Sequence, residues 1–150
     1  MTATVTITVD DAQVRALFGR LMEFGENAVV DAGRDIGEYM LRATRARADR
    51  EAAPDGVPWV PLSPKYAKRK ARKRPGAGML HFDNFMLGSR LAYQTGPDFV
   101  DIGTSAKYGA TQQFGRGSIP ARPWLGASDD DVHELVQILQ DHLEAAVSGS

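Results

Sequence analysis

The sequence contains no cysteine. That absence excludes disulfides, thiolate nucleophiles and cysteine-based metal sites together, and it is compatible with a cytosolic origin. Histidine is scarce: His81, His133 and His142 fall on different elements or nine positions apart on one helix, and none has ligand spacing. Asp130, His133 and Glu134 share a helix face, but no second element contributes to them, so no metal site is expected. No run approaches the roughly 18 apolar residues of a membrane span, and membrane is not expected among the partners. The opening MTATVTITVDD lacks the basic and apolar regions of a signal peptide. Net charge is also nearly absent, at -1, so no bulk field argues for nucleic acid or membrane.

What is present is an ordinary globular composition, 43% apolar and 25% charged over 150 residues, which suits one domain with a real core. Thr4 to Val9 alternates threonine with Val5, Ile7 and Val9, the period of a half-buried strand. Asp10 reads as an N-cap, with Gln13 completing a capping-box variant, and a first helix follows to about Phe24, with Gly25 as its C-cap. A second helix is expected from Glu26 to Asp49, with an apolar stripe of Val29, Ala32, Ile36, Tyr39, Met40 and Ala43. Four prolines and an Asp55-Gly56 turn interrupt the chain between Arg50 and Pro64, where Trp59 and Leu62 are the expected anchors onto the core. Met79 to Leu87 suggests one or two helical turns. Arg90–Thr95 and Phe99–Thr104 flank a Gly-Pro-Asp turn and read as a β-hairpin. Lys107–Phe114 reads as a short helix, and Ile119–Pro123 as extended backbone, because each proline biases its predecessor away from the helical region. Ser128 caps a last helix, with Asp131 at its third position and a stripe of Val132, Leu135, Val136, Leu139, Leu143 and Val147. The expected fold is α+β: a small antiparallel sheet with a β-hairpin, packed by a helical hairpin and a C-terminal helix, in one domain over residues 1–150.

Near-neutrality hides an uneven charge distribution. In KYAKRKARKR, Lys65 to Arg74, seven of ten residues are basic, with almost no apolar stripe. Residues 65–78 are therefore expected to be a frayed helix or a mobile loop. From Asp129 onward there are six acidic residues and no lysine or arginine. Three readings stay open: the basic segment is a plainly solvated charged face, the two segments attract each other within or between subunits, or Lys65, Lys68, Arg69, Lys70, Arg72, Lys73 and Arg74 meet phosphates without sequence preference.

Reaction chemistry finds no support. Ser128 sits in GASDD, which is a cap and no nucleophile elbow. The glycines of GRGS are followed by Ile-Pro, with no Gly-Lys-Ser/Thr. Capping explains Asp129, Asp130 and Asp131. No nucleophile–base pair is visible, so no catalytic residue, no cofactor and no enzymatic activity are expected.

Val100 to Gly115, VDIGTSAKYGATQQFG, followed by IPARPWLG from Ile119 to Gly126, resembles the phage virion morphogenesis family, the tail-completion proteins of Mu-type and P2-type contractile-tailed phages and prophages. GVPWVPLSP, Gly56 to Pro64, is similar to the family's segment ahead of its basic, variable region. HFDNFMLGS departs from the pattern by lacking a Thr-Gly pair. The resemblance is clear from about Gly56 onward and general before it. It implies a non-enzymatic virion component at the head-proximal end of the tail or in the neck, assembled as a hexameric ring and present in the host cytoplasm during assembly. Its partners would be further copies, other tail or neck proteins, and DNA passing through the ring. Tyr108, Phe114, Pro120, Arg122, Pro123 and Trp124 become the candidate subunit or partner interface. Two prolines order the segment in advance, and arginine and tryptophan are the types enriched at binding hot spots. The alternative for Arg122 and Trp124 is that they plug the base of the last helix into the core. The alternative function is a nucleic-acid-binding protein using the basic segment 65–74.

Overall fold

The computed structural model describes residues 11–80 and 85–149. The strand expected over Thr4–Val9, His81 and the middle of the turn expected over Met79–Leu87 lie outside them.

Helix α1 (Ala12–Met22) starts at Asp11, whose Oδ1 accepts from the Val14 amide at 2.9 Å. The expected cap, Asp10, is one residue too early, because Asp10 and Asp11 offer the same capping group and only Asp11 stands three residues before the amide that needs it. Helix α1 closes at Glu23, and Gly25, at φ 106°, is the N-cap of α2 rather than the C-cap of α1. Helix α2 spans Glu26–Asp49, as its periodicity predicts. Val29, Ala32, Ile36 and Met40 of its stripe are buried, while Tyr39 and Ala43 are half-buried.

Strands β1 (Leu91–Thr95) and β2 (Val100–Thr104) form the antiparallel hairpin, in the register Leu91 to Thr104 and Thr95 to Val100. The hairpin lies against α2 over Gly33 and Gly37. A Cβ at Gly33 would stand 3.3 Å from the Thr95 methyl, and one at Gly37 would enter the Tyr93 ring. These two glycines let helix and sheet approach closely. Thr104 fastens the hairpin to the preceding π-helical turn (Phe85–Ser89), its hydroxyl donating to Met86 O at 2.9 Å.

Helix α4 (Gly109–Phe114) and helix α5 (Asp129–Ser148) follow. The capping box at Ser128 and Asp131 is present in both directions. Leu135, Leu139 and Leu143 are buried, but Val147 is exposed, since α5 outruns the surface it packs on. Two apolar clusters result. One joins α1, α2 and α5 through Leu17, Leu21, Ile36, Met40 and Leu139. The other gathers Ala48, Trp59, Met86, Leu87, Leu91 and Trp124, and Ile102 packs against both. The expected α+β class holds: helices plus a two-stranded antiparallel sheet.

Of the two forms expected for segment 65–78, a frayed helix or a mobile loop, its first part takes the helical one. Pro64–Lys73 is helix α3, capped by Ser63 and with proline at its first position. Capping and a proline N1 substitute here for the missing apolar stripe. Trp59 is buried as an anchor, whereas Leu62 is half-buried.

Candidate functional site

Segment 105–126 has only α4 as regular structure, so its backbone groups need partners from elsewhere. Gln113 supplies three. Its Oε1 accepts from the amides of Trp124 (3.0 Å) and Leu125 (2.9 Å), and its Nε2 donates to Leu125 O (3.0 Å). A neutral amide is the side chain that can do both at once. The Trp124 indole donates to Gly109 O at 3.0 Å, and the Trp59 indole donates to Pro123 O at 2.6 Å. Arg122 N donates to Gln112 O at 2.6 Å, so the outgoing chain lies beside α4. At the tip, Arg116 and Ile119 exchange both backbone bonds. Gly115, at φ 78°, admits the return strand: a Cβ there would stand 2.9 Å from Ala121 N and Ile119 O.

Arg122 and Trp124 are not on a surface. Trp124 is 0% and Arg122 5% exposed. The guanidinium donates from Nε to Val60 O (2.7 Å) and from Nη2 to Pro61 O (3.0 Å), tying the clasped segment to the proline-rich one. The reason is the irregular backbone around Pro58 and Pro61, whose carbonyls have no ladder to enter and take an internal cation instead. Of the interface expectations these two are corrected: they build the fold. Pro123 is half-buried, and Pro120 is exposed.

Three large apolar side chains of this segment face solvent, among exposed Lys107, Arg116 and Ser118. Phe114 is 63% exposed, and Tyr108 and Ile119 are also exposed. Across the Arg122 tie, Val57 and Val60 add two more exposed apolar side chains. Single exposed apolar side chains are ordinary on a folded surface, and a contiguous group of them is what marks a contact site.

Helix α3 exposes Lys65, Lys68, Arg69, Arg72, Lys73 and Arg74. Arg69 lies over the Tyr66 ring, 5.3 Å from its centroid. Lys70 does not belong with them. It is buried, and its ammonium donates to Gly78 O and, at 2.7 Å, to Met79 O, closing the loop that follows the helix. Burial pushes its pKa down against the opposing pull of Glu51, and Arg122 adds to the lowering.

The residues that sequence reasoning missed are Gln113 and a buried latch between α2 and α5. Arg47 Nη1 meets Asp131 Oδ2 at 2.8 Å, Arg47 Nη2 donates to Gly126 O at 2.8 Å, and the Tyr39 hydroxyl donates to Asp131 Oδ1 at 2.8 Å. Burial alone would raise the Asp131 carboxyl, but hydrogen bonds from Ser128 N, Tyr39 and Arg47 outweigh it and hold the pKa below the usual range. Burial and the Asp131 bond push the Tyr39 hydroxyl up. The signal for Asp131 was its capping position, which gave its backbone role and hid its second one. Among the described residues no three histidine, aspartate or glutamate side chains converge as a metal site, and no helix is long and apolar enough to cross a membrane.

The sequence is similar to known proteins. The chain is 32% identical over 126 residues to the Mu-like prophage FluMu G protein 1 of Haemophilus influenzae, covering 81% of this chain and 86% of that protein. It is 26% identical over 122 residues to tail completion protein S of Escherichia phage P2, covering 73% and 81%. No solved structure matches. The phage virion morphogenesis family matches residues 9–144, a span that includes α1 and α2 as well as the clasped segment. This chain therefore belongs to the phage virion morphogenesis family, whose members are structural proteins of the phage tail.

Proposed function

We propose that the protein is a non-enzymatic virion component that forms a ring at the head-proximal end of a contractile tail, in or next to the neck, and completes the tail for head joining. It reaches that place from the host cytoplasm during assembly. Family membership supports the tail role. The observation that carries the ring and joining role is the clasped 105–126 segment, which presents Tyr108, Phe114 and Ile119 outward on a frame ordered before any partner arrives. Preorganisation of this kind lowers the entropy cost of association.

The test is complementation of an inducible prophage lacking this gene. Wild-type protein restores infectious particles, while Phe114→Asp with Ile119→Asp yields a folded protein and unjoined heads and tails by electron microscopy. Infectious particles formed without the chain would refute the role. Light scattering on the purified protein reads the ring directly, with a mass near about six protomers expected of a closed cyclic assembly.

A second reading, non-specific DNA contact, is favoured by the six outward cations of α3. It predicts duplex binding that falls steeply with salt, and it is compatible with a ring that surrounds the DNA path.

A further inference from the structure

A groove of about 640 Å³ runs between α1 and the hairpin. Asp11, Val14, Phe18 and Met22, three or four positions apart on α1 and its cap, form one wall. Val100 and Ile102 of β2 form the other, with Phe99 beside them at the turn. The buried Ile36, Met40 and Leu135 make its apolar floor. Met22 and Phe99 are exposed, and Val14, Phe18, Val100 and Ile102 are only half-buried.

One wall of this groove is an unpaired strand edge. Gly96 N donates to Phe99 O at 2.9 Å, and Ser105 N donates to Arg90 O at 3.2 Å. Bonded and non-bonded pairs alternate along an antiparallel ladder, so between these two contacts Asp101 and Gly103 exchange bonds with β1. Val100, Ile102 and Thr104 therefore aim their amides and carbonyls away from β1, and among the described residues no strand pairs with them. Val100, Asp101 and Ile102 line the groove and no residue of β1 does, so this outer edge borders it. An open edge beside an apolar floor is the arrangement that takes up an extended segment by strand addition.

The segment that fits is covalently attached to the site. Residues 1–10 lie outside the described residues, and they join the structure at Asp11, on the groove's own wall. TVTITV, residues 4–9, alternates Val5, Ile7 and Val9 with three threonines, the pattern of a strand with one buried face. Strand β2 alternates in the same sense, with Val100 and Ile102 packed toward Ile36 and Met40 and Asp101 exposed. Six extended residues reach about 20 Å. The helix wall from Asp11 to Met22 is about 17 Å long at 1.5 Å per residue. Asp10 and the cap Asp11 leave a two-residue connection, an ordinary length between strand and helix.

We propose that residues 4–9 lie in this groove as a third strand, paired with the outer edge of β2 and with Val5, Ile7 and Val9 on the apolar floor. Seated there, the segment joins α1 to the hairpin through the sheet and closes an edge otherwise open to other chains. The seat belongs to a single chain and does not depend on the ring reading above.

The test is amide hydrogen exchange by NMR on the full chain. In the wild type the Val100 and Ile102 amides are protected like those of Asp101 and Gly103, because all four are then bonded. Val5→Asp with Ile7→Asp puts two carboxylates in an apolar groove and releases the strand: Val100 and Ile102 exchange at least about tenfold faster while Asp101 and Gly103 hold. Ile7→Thr, a milder change, keeps the comparison if the double variant unsettles the hairpin, and it raises the same two rates alone. Val100 and Ile102 amides that exchange freely in the wild type overturn the proposal, and so does protection that both variants leave intact. Filtered NOE spectra of mixed labelled and unlabelled chains identify whose strand it is. Contacts from residues 4–9 to β2 within one chain support the seat; contacts found only between chains make a second copy the occupant and overturn it.

Discussion

Gln113 is the side chain on which the clasp depends, and replacing it by glutamate isolates that dependence. The protonated carboxyl reproduces the amide, with one oxygen accepting from the Trp124 and Leu125 amides and the hydroxyl donating to Leu125 O. The ionised form cannot donate, and it brings a second anionic oxygen against a carbonyl now 3.0 Å from Nε2. Folding therefore favours the protonated form and raises the carboxyl pKa above its unfolded value of about 4.3. Below that pH both states are protonated and the variant is nearly as stable as wild type. As pH rises, the folded state holds a proton that the unfolded state releases, and stability falls by about 1.36 kcal/mol per unit. The loss reaches about 1 kcal/mol at pH 5 and at most about 3.7 kcal/mol at pH 7, from 2.7 units at that slope. Urea unfolding of wild type and Gln113→Glu at pH 4, 5, 6 and 7 measures it, and subtraction removes the background titration. With a slope near 2 kcal/mol per molar urea, the midpoint drops by about 2 M at neutral pH. Gln113→Met supplies the control, since its cost is independent of pH. A Gln113→Glu deficit that is equally flat with pH would refute the argument that the donated bond to Leu125 O is made and buried.

Arg47→Met leaves the Asp131 carboxylate, 5% exposed, without its cation and should cost about 3–5 kcal/mol by chemical denaturation. Asp131 itself predicts acid sensitivity: its depressed pKa gives a stabilisation present above about pH 3.9, the unfolded value, and lost as pH falls through the folded value. Comparing wild type with Asp131→Asn between pH 2 and 5 should show that component in the first and not in the second. Gly37→Ala drives a methyl group into the Tyr93 ring and should destabilise by about 1–3 kcal/mol, and combining it with Tyr93→Ala should recover part of the loss, a non-additivity that a thermal-melt cycle detects.

How much of this was legible depended on whether the determining partner lay nearby in sequence. The bounds of α2, the hairpin and the capping box at Ser128 follow from periodicity and local signals, and each is where those signals put it. Helix α3 carried a local signal too, Ser63 followed by Pro64, but the lack of an apolar stripe obscured it. Arg122 and Trp124 carry the composition of a binding site, and nothing local says that Arg122 meets carbonyls 61 and 62 positions upstream. Gln113 and Asp131 were hidden differently. A buried amide in a short helix and a carboxylate already assigned to a cap give no sign, from spacing alone, of what lies opposite.

The inward turn of Arg122 has a consequence for how such loops diversify. Arg122 and Trp124 of IPARPWLG are occupied with the loop's own construction, so they specify a frame and leave recognition to what is mounted on it. Phe114, Arg116, Ser118 and Ile119 are exposed on a turn closed by its own backbone bonds. The segment thus behaves as an exchangeable platform. New outward side chains at these positions would alter which neighbour is met while leaving the stability of the chain almost unchanged, so a library varied there and nowhere else is the natural starting point for retargeting the loop.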